Sequence, residues 1–257
     1  MFITTAGRTE PHLIEMAKEI AFELQVKYVP RRKLSVHTLQ QNYKDDCLVV
    51  GKERLEMYPL GEAKPFFFHP NSAMFRIKRL LRGEHDPFLQ ATKLQNGDRF
   101  LDCTLGLASD SIVAAYAVGN EGVAIGLEGN RYLAYIVANG LKEWDSGLAV
   151  MDAAMRKIKV ESSMALQYLQ TVDDNHFDCV YFDPMFDDLI DESDGIEALR
   201  RFAVYNDLNE ILIKEAIRVA KRRIVLKDHF RSNRFNKYGF EVHVRETAKF
   251  HFGVIEK

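Results

Sequence analysis

The feature that most constrains the fold is an alternation of apolar, strand-like segments with helical segments from Asp98 onward. DRFLDCT, GVAIGLE, FDCVYFD and RRIVLKD are nearly continuous apolar runs, and a shorter run covers residues 157–160. Helical periodicity separates these runs, over residues 109–118, 130–141, 164–169 and 207–220. Strands that are apolar on both faces and alternate with helices are typical of a parallel sheet covered on both sides. The sequence therefore predicts an α/β fold with a doubly wound sheet.

Two further regions flank this pattern. YGFEVHVRE and KFHFGVIEK are consecutive strand-like segments with no helix between them, which indicates an antiparallel C-terminal hairpin. Residues 1–70 have shorter elements: a strand FITT, a helix over 10–25 with Thr9 as its N-cap, a helix over 35–43, a hairpin DCLVVG–ERLEMY and a strand PFFFH. We therefore expect a small N-terminal α/β domain at 1–70, linking helices at 71–97 and the main domain at 98–257.

Composition and charge narrow the classes of protein. The chain has 257 residues and a formal net charge of −2, so its overall charge does not indicate a nucleic-acid partner. Cys47, Cys103 and Cys179 are widely spaced among apolar residues, a pattern of buried thiols rather than of disulfides or a zinc site. No apolar run approaches the roughly 20 residues of a membrane span, and MFITTAGRTE does not resemble a signal peptide. We expect a cytoplasmic protein without a structural metal.

Small and polar residues follow four of the predicted strands, at the edge where a doubly wound sheet binds its ligands. The first strand leads through LDCTLGLASDS into a helix, the second ends in GLEGN, the third in VESS and the fourth in VYFDPMF. An acid at the end of the second strand can accept both hydroxyls of a ribose. The candidate site residues at these strand ends are Asp102, Thr104, Gly106, Ser109, Asp110, Glu128, Gly129, Ser162, Ser163, Asp183, Pro184 and Phe186.

Each of these positions also has an ordinary structural explanation. Gly, Ser and Asp are favoured in any strand-to-helix turn, an acid at a helix start interacts favourably with the helix dipole, and paired serines are common N-caps. Asp-Pro can simply end a strand, with the following Met and Phe in the core. The G-x-G-x-x-G fingerprint is absent, which disfavours a nicotinamide cofactor. Four such strand ends in one sheet together favour a ligand site.

These motifs resemble those of class I S-adenosylmethionine-dependent methyltransferases, and are most similar to the bacterial small-subunit ribosomal RNA guanine-N2 methyltransferase family. That family ends its fourth strand in Asp-Pro-Met-Phe, as residues 183–186 do here. Its first motif, Asp-Ala-Thr-Ala-Gly-Leu-Gly-Arg-Asp, is similar to DCTLGLASD at residues 102–110. Its strand-two acid matches Glu128, its Ser-Ser pair matches residues 162–163, and RRIVLK, ending at Lys227, matches a further stretch. The resemblance spans roughly Phe66 to the C-terminus and is thin before Cys47.

The resemblance implies a Rossmann-like class I methyltransferase sheet, mostly parallel with strand order 3-2-1-4-5-7-6 and an antiparallel C-terminal hairpin. It implies S-adenosylmethionine as cofactor and ribosomal RNA as substrate. Asp183 and Pro184 would hold the target amine while Phe186 stacks on the base. The implied cofactor site has Glu128 at the ribose, Ser162 and Ser163 near the adenine, and Asp102, Gly106, Ser109 and Asp110 around the methionine part, with Thr104, Gly129 and Asp183 also in it.

Two departures from the family pattern leave the acceptor open. Ala108 and Ser109 replace the family's Gly and Arg, and acidic residues at 187–197 follow Asp-Pro-Met-Phe where the family has Pro and basic residues. Acidic residues next to the proposed active site would repel the phosphate backbone of a nucleic acid. A small-molecule or protein acceptor, or a non-catalytic nucleotide- or RNA-binding module, is therefore the alternative. Basic residues that could hold RNA from other sides are Arg76, Lys78, Arg79, Arg82, Lys227, Arg231, Arg234 and Lys237.

Overall fold

The N-terminal part of the chain folds around a four-stranded sheet of order β2-β1-β3-β4. Its elements are β1 (Phe2–Thr5), α1 (Pro11–Glu23), β2 (Lys27–Tyr28), α2 (Val36–Tyr43), β3 (Cys47–Val50) and β4 (Leu55–Tyr58). β1 is parallel to β2 and β3, whereas β3 and β4 form the predicted antiparallel hairpin. The computed structural model describes residues 1–184 and 208–257, and residues 1–69 form one compact unit of it.

Two details predicted for this unit are wrong. Helix α1 begins at Pro11 with Glu10 as its N-cap, and the hydroxyl of Thr9 donates to the Glu10 carbonyl instead of capping the helix. The segment PFFFH forms only an isolated bridge, in which Phe66 exchanges both backbone hydrogen bonds with Met57 at 2.8 Å. Because Pro65 has no N–H to donate, the bridge does not extend into a ladder on that side.

The second unit contains the described residues from Pro70 onward. Its first helices are α3 (Asn71–Leu81) and α4 (Pro87–Thr92). The alternating part that follows consists of β5 (Arg99–Asp102), α5 (Ser109–Val118), β6 (Val123–Leu127), α6 (Arg131–Glu143), α7 (Ala149–Lys157), β7 (Ile158–Glu161), α8 (Ala165–Leu169) and β8 (Phe177–Phe182). After residue 207 come α9 (Glu210–Val219), β9 (Ala220–His229), α10 (Arg234–Tyr238), β10 (Glu241–His243) and β11 (Phe250–Glu256).

These strands form a seven-stranded sheet of order β10-β11-β9-β8-β5-β6-β7. β7, β6, β5, β8 and β9 pair in parallel, and β11 is antiparallel to both β9 and β10. The predicted order 3-2-1-4-5-7-6 and the antiparallel C-terminal hairpin are therefore confirmed. Because strand order reverses between β5 and β8, this point of the carboxyl edge is where a doubly wound sheet binds its ligand.

Helices cover both faces of this sheet. α5 packs on β5, β6 and α7, whereas α9 packs on α8, β8 and β9. Right-handed crossovers that run outward in opposite directions from the switch point place these two sets of helices on opposite faces. The core between α9 and the sheet includes the fully buried Phe177, Val180 and Ile224. No helix in the described chain has the length and apolarity required to cross a membrane.

Candidate functional site

Backbone hydrogen bonds join the carboxyl ends of four neighbouring strands into one continuous edge. The N–H groups of Cys103, Leu105 and Glu128 donate to the carbonyls of Tyr181, Leu127 and Glu161, over 2.9, 2.9 and 3.0 Å respectively. Asp183 follows β8 and Glu128 follows β6, and only β5 lies between those two strands. At ordinary strand spacing the two strand ends are therefore about 10 Å apart. The structure thus brings the predicted strand-end residues to one edge.

Glu128 is held at the turn between β6 and α6. Its Oε1 accepts a hydrogen bond from the N–H of Asn130 at 2.9 Å, and the N–H groups of Gly106 and Gly129 also donate to this carboxylate. The residue is only 9% exposed, and burial raises the pKa of Glu128, an effect that the three backbone donors oppose. Glu128 therefore connects the turn after β6 to the turn after β5.

Asp102 and Thr104 fix the turn after β5 to the end of β8. The buried Asp102 carboxylate accepts hydrogen bonds from the Ser111 hydroxyl at 2.6 Å and from the Thr104 N–H at 2.9 Å. Burial raises the pKa of Asp102 to about 7, although both donors oppose the rise. The Thr104 hydroxyl accepts a hydrogen bond from the Asp183 N–H at 2.6 Å. Two predicted cofactor residues therefore position a predicted catalytic one.

The turn after β5 contains left-handed backbone at Gly106 and at Ala108, with φ of 48° and 59°. Ala108 is the N-cap of α5, and its methyl group is fully buried. A non-glycine residue in this conformation costs about 1 kcal/mol relative to glycine. The family that the first motif resembles has Gly at this position, so the substitution in this chain keeps the backbone shape that a Gly favours.

A buried ion-pair cluster lies behind the end of β8. The Nζ of Lys227 is 2.6 Å from Asp183 Oδ2 and 3.3 Å from Asp110 Oδ2, and the Tyr181 hydroxyl donates to Asp110 Oδ2 at 2.8 Å. Although burial opposes the charged form, the carboxylates of Asp110 and Asp183 raise the pKa of Lys227, so its amine stays protonated. The ammonium group therefore holds Asp183 by one oxygen.

Arg76 completes the cluster from helix α3. Its guanidinium lies 2.5 Å from Asp110 Oδ1 and binds both oxygens of Asp86, at 2.8 and 2.9 Å. The Arg76 side chain is only 19% exposed. Arg76 was named in the sequence analysis as a residue that could hold RNA, but two buried carboxylates, one from α5 and one from the start of α4, surround it. No local sequence signal marks this role.

Asp183 is half-buried, and the described residues bind its carboxylate through one oxygen. Burial raises the pKa of Asp183 to about 6, with Asp110 adding to the rise and Lys227 opposing it. Oδ2 accepts the hydrogen bond from Lys227, whereas Oδ1 accepts none from the described residues. A carboxylate with a pKa near 6 accepts a proton more readily than an ordinary aspartate does. The geometry therefore suits Asp183 to receive an N–H donor at Oδ1.

The remaining predicted residues lie around the same edge. Ser109 is the half-buried first residue of α5, Gly129 and Ser162 are exposed, and Pro184 is half-buried. The Ser163 N–H donates to the carbonyls of Glu128 and Glu161. Phe186 and the acidic residues at 187–197 lie outside the described residues. In the described chain, no group of His, Cys, Asp and Glu is arranged to hold a metal ion.

The strand order and the polar carboxyl edge define a class I methyltransferase. Residues 30–251 match the model of the family described as "Putative SAM-dependent methyltransferase". The chain therefore belongs to this family and is an S-adenosylmethionine-dependent methyltransferase. It is 48% identical to "Uncharacterized protein YpiP" of Bacillus subtilis (strain 168) over 254 residues, 99% of this chain and 98% of the relative.

A solved structure shows the same fold. The crystal structure of the SAM-dependent methyltransferase NGO1261 from Neisseria gonorrhoeae matches 100% of this chain and 96% of that chain, with a TM-score of 0.60 and 17% sequence identity. At this identity the likeness shows the fold alone, and this fold agrees with the one predicted from the sequence.

The residues at the carboxyl edge fit S-adenosylmethionine. The ribose of the cofactor presents two hydroxyl donors, and Glu128 provides a carboxylate at the end of the second strand of the sheet. Backbone donors hold this carboxylate in place without a competing ion pair in the described chain. The adjoining turn contains the partly exposed Gly106, which has no side chain, so its backbone can approach a ligand closely.

Proposed function

We propose that this methyltransferase transfers the methyl group to the exocyclic amine of a guanine in ribosomal RNA, and therefore works in the cytoplasm. The single observation that supports this most is the placement of Asp183 at the end of β8. One of its oxygens is bound by Lys227, its backbone N–H donates to the Thr104 hydroxyl, and its other oxygen accepts no hydrogen bond from the described residues. The sequence Asp-Pro-Met-Phe at 183–186, which resembles the guanine-N2 family, points to an amine as that donor.

On the cofactor side, we propose that Glu128 accepts the ribose hydroxyls, while Gly129 shapes the turn beside it. Ser162 and Ser163 lie near the adenine because they follow β7, the neighbour of β6. Asp102 and Thr104 act by fixing the turn after β5. Gly106, Ser109 and Asp110, in that turn and at the start of α5, form the wall around the methionine part.

The chemistry at Asp183 follows from the acceptor. Bound S-adenosylmethionine supplies an electrophilic methyl group on a positively charged sulfur. The guanine amine is a weak nucleophile because its lone pair is delocalised into the base, so its orientation matters. Asp183 Oδ1 and the Pro184 carbonyl accept hydrogen bonds from the two N–H groups and aim the nitrogen at the methyl carbon. Complete orientation of two reacting groups lowers the activation barrier of their reaction by up to about 7–11 kcal/mol.

Proton transfer completes the proposed reaction. The cofactor would supply the methyl group and keep the electron pair of its C–S bond, and Asp183 Oδ1 would accept the proton that the amine nitrogen loses. The raised pKa of Asp183, about 6, favours this transfer. We propose that Phe186, which lies outside the described residues, stacks on the base, a contact that contributes roughly 1–3 kcal/mol.

The direct test is methyl transfer to unmodified RNA. When the purified chain is given tritiated S-adenosylmethionine, ribosomal RNA from a strain that lacks this protein should incorporate label, and RNA from the parent strain should incorporate little. Mass mapping of the labelled RNA should place the methyl group on guanine N2. Label in a small molecule or a protein, with none in RNA, would instead assign the methyl group to another acceptor. Cofactor binding without any transfer would favour a non-catalytic module.

The role of Glu128 predicts a specific loss of cofactor affinity. In Glu128→Gln the side chain keeps its size but loses its charge, so at least one charged hydrogen bond to the ribose weakens. The dissociation constant for S-adenosylmethionine should rise about tenfold, which corresponds to ~1.4 kcal/mol. Calorimetric titration measures this dissociation constant. Glu121→Gln, an exposed position just before β6 at the opposite edge of the sheet, is the matched control and should bind normally. Unchanged affinity in Glu128→Gln contradicts the assignment.

A further inference from the structure

A surface patch at the carboxyl edge of β9 combines aromatic rings with positive charge. We call it the β9–β11 patch, and its residues are Phe230, Arg231, Arg245, Lys249 and Phe250. In the antiparallel pairing of β9 with β11, His229 lies opposite Phe250. Just beyond this pair, the Phe230 N–H donates to the Lys249 carbonyl at 3.1 Å. The patch therefore lies at the same edge of the sheet as Asp183, since β9 is the neighbour of β8.

The cations of this patch lack acidic partners. Arg231, Arg245 and Lys249 form no ion pair with any residue of the described chain, although the Nη1 atom of Arg245 is itself buried. Nearby cations differ, because Lys227 and Arg234 are each within 3.1 Å of a carboxylate, that of Asp183 and that of Asp228 respectively. Residues 227–251 contain six Lys or Arg and three Asp or Glu, although the whole chain has a net charge of −2. This part of the surface therefore suits an anionic partner.

The aromatic rings of the patch are accessible and flanked by these cations. Phe230 is 44% exposed, and the Arg231 guanidinium lies 5.0 Å from its ring centre. The half-buried Phe250 ring has Arg245 at 4.6 Å and the Nζ of Lys227 at 5.0 Å. Cation–π contact holds the exposed Arg231 guanidinium in place while its N–H donors stay available to a phosphate. Because Lys227 also binds Asp183, the patch adjoins the position proposed for the target amine.

We propose that the β9–β11 patch binds the single-stranded RNA segment next to the target base. This inference rests on the proposed RNA acceptor. Arg231, Arg245 and Lys249 would contact phosphates, and Phe230 would stack on an unpaired base, the combination by which proteins hold single strands. An acidic peptide fits less well, because it has no flat rings to stack on an exposed phenylalanine. The patch would thereby compensate for the acids that follow Asp-Pro-Met-Phe in the sequence.

Charge reversal at two exposed positions tests the electrostatic part. In Arg231→Glu/Lys249→Glu, the dissociation constant for a fluorescent single-stranded RNA of mixed sequence should rise at least tenfold. The slope of log affinity against log salt should become shallower by about 1.4, because each phosphate contact contributes about 0.7 for single strands. Lys142→Glu/Lys214→Glu, with two exposed residues on α6 and α9, makes the same charge change and should bind as the wild type does. Equal weakening in both double variants overturns the proposal.

Phe230→Ala tests the stacking part. It should weaken binding of the RNA about fivefold or more but leave binding of poly-glutamate unchanged. An equal loss for both polymers overturns the assignment to nucleic acid, and a wild-type chain that does not bind RNA removes the patch proposal altogether. Calorimetric binding of S-adenosylmethionine shows that each variant is folded. The proposed function and the proposed role of the patch can be contradicted separately. If RNA binds through the patch but is not methylated, only the proposed function is contradicted. If the patch variants methylate RNA as the wild type does, only the proposed role of the patch is contradicted.

Discussion

Replacing Asp183 with Ala should lower the rate of methyl transfer at least 100-fold without a comparable loss of cofactor binding. The variant lacks the carboxylate that orients the amine and accepts its proton, and general-base catalysis of this kind contributes about 10²- to 10⁴-fold. Asp183→Asn should be less impaired than Asp183→Ala, because an amide oxygen still accepts a hydrogen bond but cannot take the proton. Single-turnover assays with saturating S-adenosylmethionine measure the chemical step directly.

The pH dependence of the same reaction provides a second measurement. Below about pH 6 the Asp183 carboxyl is mostly protonated, and it ionises as the pH rises through the pKa of about 6 to which burial raises it. The wild-type rate should therefore rise with pH through this value, and the rise should be absent in Asp183→Asn. Asp178→Asn, on the same strand at its opposite end, is the matched control and should retain the wild-type profile. A rate in Asp183→Ala within threefold of the wild type contradicts the assigned role.

The large sheet could be predicted from the sequence because each strand is marked locally. β6 and β8 are short apolar runs that end in an acid, and the absence of a helix before β11 correctly indicated the antiparallel pair. Strand order could not be predicted in the same way, because the residues of a strand do not indicate which other strand it pairs with. The order came from the resemblance to methyltransferases, and the pairing in the structure confirms it.

The short helix α10 was not predicted, because it depends on a tertiary contact. α10 has only five residues, too few to be stable through their own helical hydrogen bonds. The buried Phe235 on α10 packs against Gly253 of β11, where an added Cβ would lie 2.5 Å from the phenylalanine ring. The helix therefore depends on a glycine 18 residues further along the chain, a relation that local sequence patterns do not reveal.

The position of the candidate site could be predicted, but its electrostatics could not. Polar strand ends identified Asp183 and Glu128, and both lie at the expected edge. The cluster that holds Asp183 joins residues far apart in sequence, since Arg76 and Asp110 are separated by 34 residues, and Asp110 and Lys227 by 117. On an amphipathic helix with several basic residues, Arg76 has the pattern of a solvated cation. Only the packing of α3 against α5 reveals buried carboxylates around it.

Replacing Arg76 with Met should destabilise the second unit by about 3–5 kcal/mol, the usual result of removing one partner from a buried ion pair. The change leaves the buried Asp86 without its cation and Asp110 with Lys227 alone. Although burial opposes ionisation, Lys227 and Arg76 hold the pKa of Asp110 below its ordinary value of 3.8. The contribution of this lowered pKa is therefore fully present at neutral pH and is lost only as the pH falls below that value.

Urea denaturation at pH 7, followed by the fluorescence of Trp144, the one tryptophan of the chain, measures this loss. Arg79→Met is the matched control, because Arg79 lies on the same helix but is 54% exposed and paired with the exposed Glu84. The free energy of unfolding of that control should fall by no more than about 1 kcal/mol. The loss of stability in Arg76→Lys should lie between those of Arg76→Met and Arg79→Met, since an ammonium cannot bind both Asp86 oxygens as a guanidinium does. Equal stability of Arg76→Met and Arg79→Met would show that the buried ion-pair cluster does not stabilise the fold, and would leave the orientation of Asp183 as its remaining role.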